Sequence, residues 1–338
     1  MIESGLLLSV FAAFLAALLS ACLTWMVRPA LLRFALARPN ARSSHQVPTP
    51  QGAGIAVIIA TLVSSGLSIW ASPQDLRIPV AVFGSSFFIA AVGFADDVRS
   101  IPVLPRLILQ AIAVGAIVFT VPGDIRIVPA CPLLIERSLV LLAGLWFVNL
   151  VNFMDGLDWM TVAETVPVTT AIVILGLNGA LPVQVTIVAA ALCGAMVGFS
   201  PFNRPVAKVF LGDVGSLPIG LLLGWCLLQL AYHQQFAAAL LLPLYYLSDA
   251  TVTLLRRLAR REPFWAAHRS HFYQRATDNG FTVMRVVGEV FVLNLGLAAL
   301  AILSIRAGSM IVSALLLLAG MVAVAAVLYR FSRARPSA

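Results

Sequence analysis

Four amide and carboxylate side chains, Asn149, Asn152, Asp155 and Asp158, recur every third residue at the end of a hydrophobic run, in the stretch NLVNFMDGLDWM. On a helix, residues three apart are neighbours, so each meets the next. The row drifts round the helix, and one ligand touches all four only if Gly156 breaks it and turns Asp158 back. Hydrogen bonding between packed helices is the plain alternative for the asparagines. The other reading is a ligand site rich in oxygen.

Three more clusters carry the same flavour. GFADDVRS sets Asp96 beside Asp97, and adjacent carboxylates repel unless a cation or a shared proton compensates. They read either as a helix cap or as a site for a hard cation or a proton transfer. Oxygen-only ligands suit Mg²⁺ or Mn²⁺ rather than zinc. VFLGDVGSLPIG places Asp213 among glycines before a helix start, where exposed N–H groups favour an anion. It is an N-cap or half of a metal–pyrophosphate site. EPFWAAHRSHFYQR holds His268 and His271 three apart, flanked by Arg269 and Arg275. If helical, both histidines face one side. No cysteine or third histidine stands near, so the expectation is a phosphate clamp rather than zinc. RSSHQVPTPQGAG adds His45 and Arg42 as weaker substrate contacts.

These residues sit in a very apolar frame. The chain has 338 residues, 61% hydrophobic and 11% charged, with net charge +8. Its mean hydropathy is +0.99. So much apolar surface needs lipid as its solvent, and this excludes an ordinary soluble enzyme or a nucleic-acid-binding module. Lipid offers the backbone no partners, so the fold class is an all-α polytopic membrane protein. Windows of about 20 residues predict eleven spans, near 4–26, 52–71, 78–95, 106–121, 134–150, 161–178, 184–200, 214–231, 237–255, 282–304 and 309–329. The first is too long, and too poor in basic residues ahead of it, for a cleaved signal. Cys22, Cys131, Cys193 and Cys226 form no paired motif and read as small buried hydrophobes. A single membrane domain, 1–338, accounts for the chain.

Of the 22 basic residues, all but Arg77, Arg126, Arg137 and Arg306 fall in one set of alternate loops or in the C-terminal tail. The positive-inside rule then puts the N-terminus in the periplasm and the C-terminus in the cytoplasm. Every polar cluster falls in that basic set, in segments near 27–51, 96–106, 149–160, 201–213 and 256–281. The working face is expected to be cytoplasmic and open to soluble nucleotides. The chemistry implied is metal-assisted handling of a phosphorylated, lipid-associated substrate.

GFADDVRSIPVLPRLILQ, NLVNFMDGLDWM, FNRPVAKVFLGDVGS and AHRSHFYQR together resemble the polyprenyl-phosphate N-acetylhexosamine-1-phosphate transferases, of the glycosyltransferase family 4 type, from about residue 42 to 275. That superfamily also holds the phospho-N-acetylmuramoyl-pentapeptide transferases. The resemblance implies a bacterial inner-membrane enzyme in which undecaprenyl or another polyprenyl phosphate attacks the sugar-linked phosphate of a UDP-N-acetylhexosamine, and UMP leaves. It implies Mg²⁺ or Mn²⁺, with Asp213 as main ligand and Asn152 or Asp155 beside it. Asp96 and Asp97 would handle the lipid phosphate, one of them deprotonating it, with Asp155 completing the catalytic set. Gly156, Leu157, Asp158, Asn203 and Phe210 would line the nucleoside pocket. His268, Arg269 and His271, with Arg275 and His45, would hold the sugar phosphate. Family relatives are often homodimers, though no feature here specifies an interface.

Departures refine the expectation. Many relatives end the aspartate motif in glycine; here Trp159 stands there, a ring that would narrow or reshape the nucleotide side. The histidines are split as HRSH, which argues against a peptidoglycan role. The expected donor is a UDP-linked GlcNAc, GalNAc, FucNAc or QuiNAc, for O-antigen or another surface glycan. The alternatives are the muramoyl-pentapeptide transferase reaction and a lipid-linked sugar transporter. A transporter would carry its carboxylates near the midplane in paired repeats, which this sequence lacks.

Overall fold

A computed structural model describes residues 2–37, 48–71, 77–263 and 268–334. His45 and Arg42 lie outside them. Among the described residues there are thirteen helices and one small hairpin. In chain order they are α1 (Ile2–Phe34), β1 (Leu36–Ala37), β2 (Thr49–Pro50), α2 (Gly54–Trp70), α3 (Arg77–Val98), α4 (Val103–Thr120), α5 (Leu133–Met154), α6 (Met160–Leu177), α7 (Val183–Phe199), α8 (Asp213–Tyr232), α9 (Phe236–Leu241), α10 (Leu244–Ala259), α11 (Phe272–Asp278), α12 (Val283–Ala307) and α13 (Met310–Phe331). The hairpin is antiparallel, Leu36 opposite Pro50 and Ala37 opposite Thr49. Among the described residues, this hairpin and a single parallel bridge between Gln51 and Phe210 are the exceptions to the all-helical expectation.

Eight of these helices are long and apolar enough to cross a membrane, and α2 and α7 are apolar but shorter at 17 residues each. The stretch 237–255, expected as one span, is divided. α9 ends at Leu241 and α10 begins after Pro243, which lacks an N–H and interrupts the ladder. α10 also carries Asp249, Thr253, Arg256 and Arg257, a polar load that a lipid-facing span would not tolerate. Four helices start directly after a proline, Pro102, Pro132, Pro182 and Pro243, a residue whose restricted φ suits a helix entry. Inside the helices, the buried Thr61, Ser65, Ser68, Ser86 and Thr169 return their hydroxyls to carbonyls four residues back, so these hydroxyls are not left unpaired in the apolar interior.

α8 is the centre of the bundle, buried along almost its whole length. α3, α5 and α2 pack around it, and α1 packs on α7 and α2. Close approach depends on small residues. A Cβ on Gly93 would run into the backbone of Asp213 and Val214. That contact seats the end of α3 against the start of α8, and so brings the aspartate pair to the helix that begins with Asp213.

Candidate active site

The polar clusters meet at one end of the bundle, where α3 and α5 finish and α2 and α8 begin. α8 starts there with free backbone N–H groups. Asp97 satisfies them: its Oδ1 accepts from the Asp213 N–H and its Oδ2 from the Val214 N–H, both at 3.0 Å. Gln51, just ahead of α2, donates to the same carboxylate at 2.6 Å. Asp96 accepts from the Ile101 N–H at 2.5 Å and from Arg106 at 2.6 Å. Arg106 also stands 3.8 Å from Asp213 Oδ2. Both carboxylates of the pair are thus engaged by the protein itself.

The row on α5 divides. Asn149 turns away, donating to Gln110 Oε1 at 2.6 Å and to the Leu145 carbonyl, which is the helix-to-helix role. Asn152 donates to Asp213 Oδ1 at 2.8 Å and to Ser216 Oγ at 2.9 Å. The helix ends at Met154, one residue earlier than a break at Gly156 requires, so Asp155 lies just beyond it. Thr161 donates its hydroxyl to Asp155. Desolvation pushes the Asp155 carboxyl up to about 7, helped by the charges of Asp97 and Asp158 and opposed by the Thr161 bond. Asp158 Oδ2 accepts from the Ala207 N–H at 2.9 Å. Asn203 accepts from the Trp159 N–H at 2.8 Å and donates to the Val209 carbonyl, tying the two loops together.

A cavity of about 660 Å³ opens over this assembly, and Asn152, Asp155, Gly156, Leu157, Asp158, Asn203, Phe210 and Asp213 all line it. Trp159 does not. Its backbone takes the left-handed conformation (φ 64°) that glycine adopts most easily, and its indole donates to the Ser200 carbonyl at 2.6 Å. Of the two expectations, the ring does not narrow the cavity by lining it; the backbone bond of Trp159 to Asn203 and its indole bond to Ser200 brace the loop that does.

The histidine segment also departs from expectation. Residues 268–270 are not helical, and α11 begins only at Phe272, so His268 and His271 do not share a helix face. Their rings lie against each other, centroids 4.9 Å apart. His271 is buried and its Nδ1 lies 3.2 Å from Asp249, whose carboxylate also accepts from the Phe272 and Tyr273 N–H groups. Burial first, then the neighbouring His271 and Arg257, hold His268 down at about 4, so at neutral pH it offers hydrogen bonds and no charge. Arg269 pairs with Asp278 at 3.2 Å. None of His268, Arg269, His271 and Arg275 lines the carboxylate cavity; this region reaches it through Gln274 and the stretch 282–284. Gln51, Arg106, Thr161 and Asp249 are structural partners that pattern reading missed. Only Asp249, a lone acid in an apolar run, left a signal there.

A divalent ion fits the donor set. Asn152, Asp155 and Asp213 offer oxygens alone, and Arg106 is the one cation paired to the crowded acids among the described residues. Among those residues no three His, Cys, Asp or Glu side chains form a ready cage. Mg²⁺ is commonly held by one or two carboxylates, its other positions going to water and phosphate oxygens, and Asp155 and Asp213 are two carboxylates on this lining.

Residues 79–231, the segment that holds both aspartate pairs and Asp213, match the profile of glycosyl transferase family 4. The chain carries a glycosyl transferase family 4 segment. It is the superfamily whose motifs the sequence resembles. The chain is 24% identical over 279 residues to a probable undecaprenyl-phosphate N-acetylglucosaminyl 1-phosphate transferase of Bacillus subtilis (strain 168), covering 76% of this chain and 75% of that protein. It is 28% identical over 310 residues to the decaprenyl-phosphate N-acetylglucosaminephosphotransferase of Mycolicibacterium smegmatis, covering 80% and 76%. It is 28% identical over 312 residues to the phospho-N-acetylmuramoyl-pentapeptide-transferase of Gluconacetobacter diazotrophicus, covering 79% and 83%. The family 4 segment ends before α9, so the histidine loop lies outside it.

Proposed function

We propose that this bacterial membrane protein transfers N-acetylhexosamine-1-phosphate from a UDP-sugar to undecaprenyl or another polyprenyl phosphate and releases UMP. A terminal oxygen of the lipid phosphate bonds to the sugar-linked phosphorus. The bond from that phosphorus to the bridging oxygen breaks, and its electron pair leaves with UMP. The observation that carries this reading is the meeting of Asn152 and Asp155, at the end of α5, with Asp213, at the start of α8, at the rim of one cavity.

Each side chain has a role in it. Asp213 and Asp155, with Asn152 fixing Asp213, would hold Mg²⁺ or Mn²⁺, which when bound neutralises the charge of the joined phosphates. Asp155, whose carboxyl burial raises to about 7 in the metal-free protein, holds the ion only as the carboxylate, so its grip weakens as pH falls below that value. Asp97 holds the start of α8, and Asp96 holds Arg106, which faces Asp213; in this reading they act through position. Gly156, Leu157, Asp158, Asn203 and Phe210 form the wall for uridine. The bias of basic residues supports eleven crossings with the N-terminus outside and the cavity open to the cytoplasm. The broken α9–α10 segment would be the irregular crossing, its Pro243 break enclosed by protein.

The split HRSH favours GlcNAc or a related hexosamine, and with it O-antigen or other surface-glycan initiation. Relatives named for phospho-N-acetylmuramoyl-pentapeptide transfer favour the second reading. Purified protein supplied with undecaprenyl phosphate and a panel of UDP-sugars, with UMP measured, separates them. Release with UDP-hexosamines supports the first reading; release only with the UDP-muramoyl-pentapeptide supports the second. No release with any donor would overturn both.

A further inference from the structure

A second polar cavity, of about 360 Å³, lies where α10 ends and the histidine segment passes, and it shares no lining residue with the carboxylate cavity. Five arginines surround it: Arg256, Arg257, Arg260, Arg269 and Arg275. Two are matched by acids, Arg257 by Glu262 at 3.1 Å and Arg269 by Asp278 at 3.2 Å. Arg256 lies over the Phe272 ring, 4.5 Å from its centroid. Arg256, Arg260 and Arg275 have no carboxylate partner among the described residues. The stretches 38–47 and 264–267, outside the described residues, contain no Asp or Glu in their sequence.

The cavity is built into the protein. Arg257 is only 9% exposed, and its Nε has no hydrogen-bond partner; nor has the buried Nε of Arg269. A buried N–H without an acceptor is costly, and a guanidinium fork fits phosphate oxygens two at a time. Three unmatched positive charges in one cavity call for an oxyanion. Leu255 and Leu258, beside these arginines on α10, are exposed apolar side chains, which brings the mouth of the cavity to a lipid boundary.

We propose that this cavity is a phosphate-binding site, separate from the carboxylate cavity, which takes the phosphodiester of an anionic phospholipid headgroup or a free phosphate. It rests on binding and not on turnover, so it stands or falls apart from the transferase reading. The test uses the full chain in phosphatidylcholine nanodiscs. One arm titrates inorganic phosphate against chloride at matched ionic strength. The other introduces phosphatidylglycerol and counts bound lipid by native mass spectrometry. The expected result is one bound phosphate group, with affinity falling on the order of tenfold in R256Q/R260Q and unchanged in R306Q. Saturation by inorganic phosphate identifies the free ion; binding of phosphatidylglycerol alone identifies the headgroup. If the double variant unfolds on heating earlier than the wild type, R260Q alone, at an exposed position, replaces it. Wild-type affinity in the variants, or no binding in either arm, would overturn the proposal.

Discussion

The Asn152 amide donates to Asp213 Oδ1 at 2.8 Å and so joins the last turn of α5 to the first residue of α8. It holds one oxygen of Asp213 in place and leaves the other facing Arg106 and the cavity. Removing a side chain that orients a metal ligand costs about 10–100-fold in metal affinity. Asn152→Ala is therefore expected to need 10–100-fold more Mg²⁺ for half-maximal UMP release, read from a metal titration. An unchanged titration curve would mean that Asp213 needs no such support.

Asp155 gives the pH dependence its sign. Its carboxyl is raised to about 7 from the ordinary 3.8, first by desolvation, so the protonated form prevails below that pH. As a metal ligand it works only when ionised. The Mg²⁺ concentration for half-maximal UMP release is expected to fall as pH passes upward through about 7, and Asp155→Asn should remove that fall together with most of the rate. A wild-type profile flat from pH 5 to 8 would contradict the role.

Gly156 is needed for close approach. A Cβ there would collide with the Tyr273 hydroxyl and reach 3.1 Å from Gln274 Nε2. Tyr273 donates to the Phe153 carbonyl at 2.9 Å, so the collision would push α11 off the end of α5. Gly156→Ala is expected to cost about 1–3 kcal/mol, seen as a lower melting temperature in detergent, with loss of UMP release.

His268 makes the fold acid-sensitive. Its value of about 4 lies below the ordinary 6.5, with burial the largest cause, so the folded protein prefers the neutral ring. The unfolded chain binds the proton more readily. Stability from this group is complete above about pH 6.5 and is lost as pH falls towards 4. Melting temperatures measured between pH 7 and pH 4 are expected to fall less steeply in His268→Gln than in the wild type.

Asp249 ties α10 to the start of α11. It is fully buried and accepts from the first two N–H groups of α11. Loss of a helix cap costs about 0.5–2 kcal/mol. Asp249→Ala should lose at least that much, and proteolysis should find α11 before any other helix.

The positions that sequence made legible are those whose residue type conflicts with their surroundings. Asp96, Asp97, Asn152, Asp155 and Asp213 are polar groups at the ends of apolar runs, and the structure brings them to one end of the bundle. Gln51 and Arg106 could not be singled out, because an ordinary polar residue in a polar loop gains its meaning only when α2, α3 and α8 meet. His268 and His271 misled for a different reason. The three-residue spacing has helical meaning only inside a helix, and here α11 begins one residue after His271. The window over 237–255 counted hydropathy and passed over Pro243, which divides the segment.

The central claim is that oxygens carried by α5, α8 and the turn after α5 gather a divalent ion and, with it, two anionic reactants. UMP release at increasing Mg²⁺, in wild type, D155N, D213N and the distant R306Q, tests this most directly. The account requires no release by wild type without the ion, a loss of about 10²–10³-fold in each aspartate variant and none in R306Q. Wild-type turnover by D213N and D155N, or full release in a chelator, would contradict it.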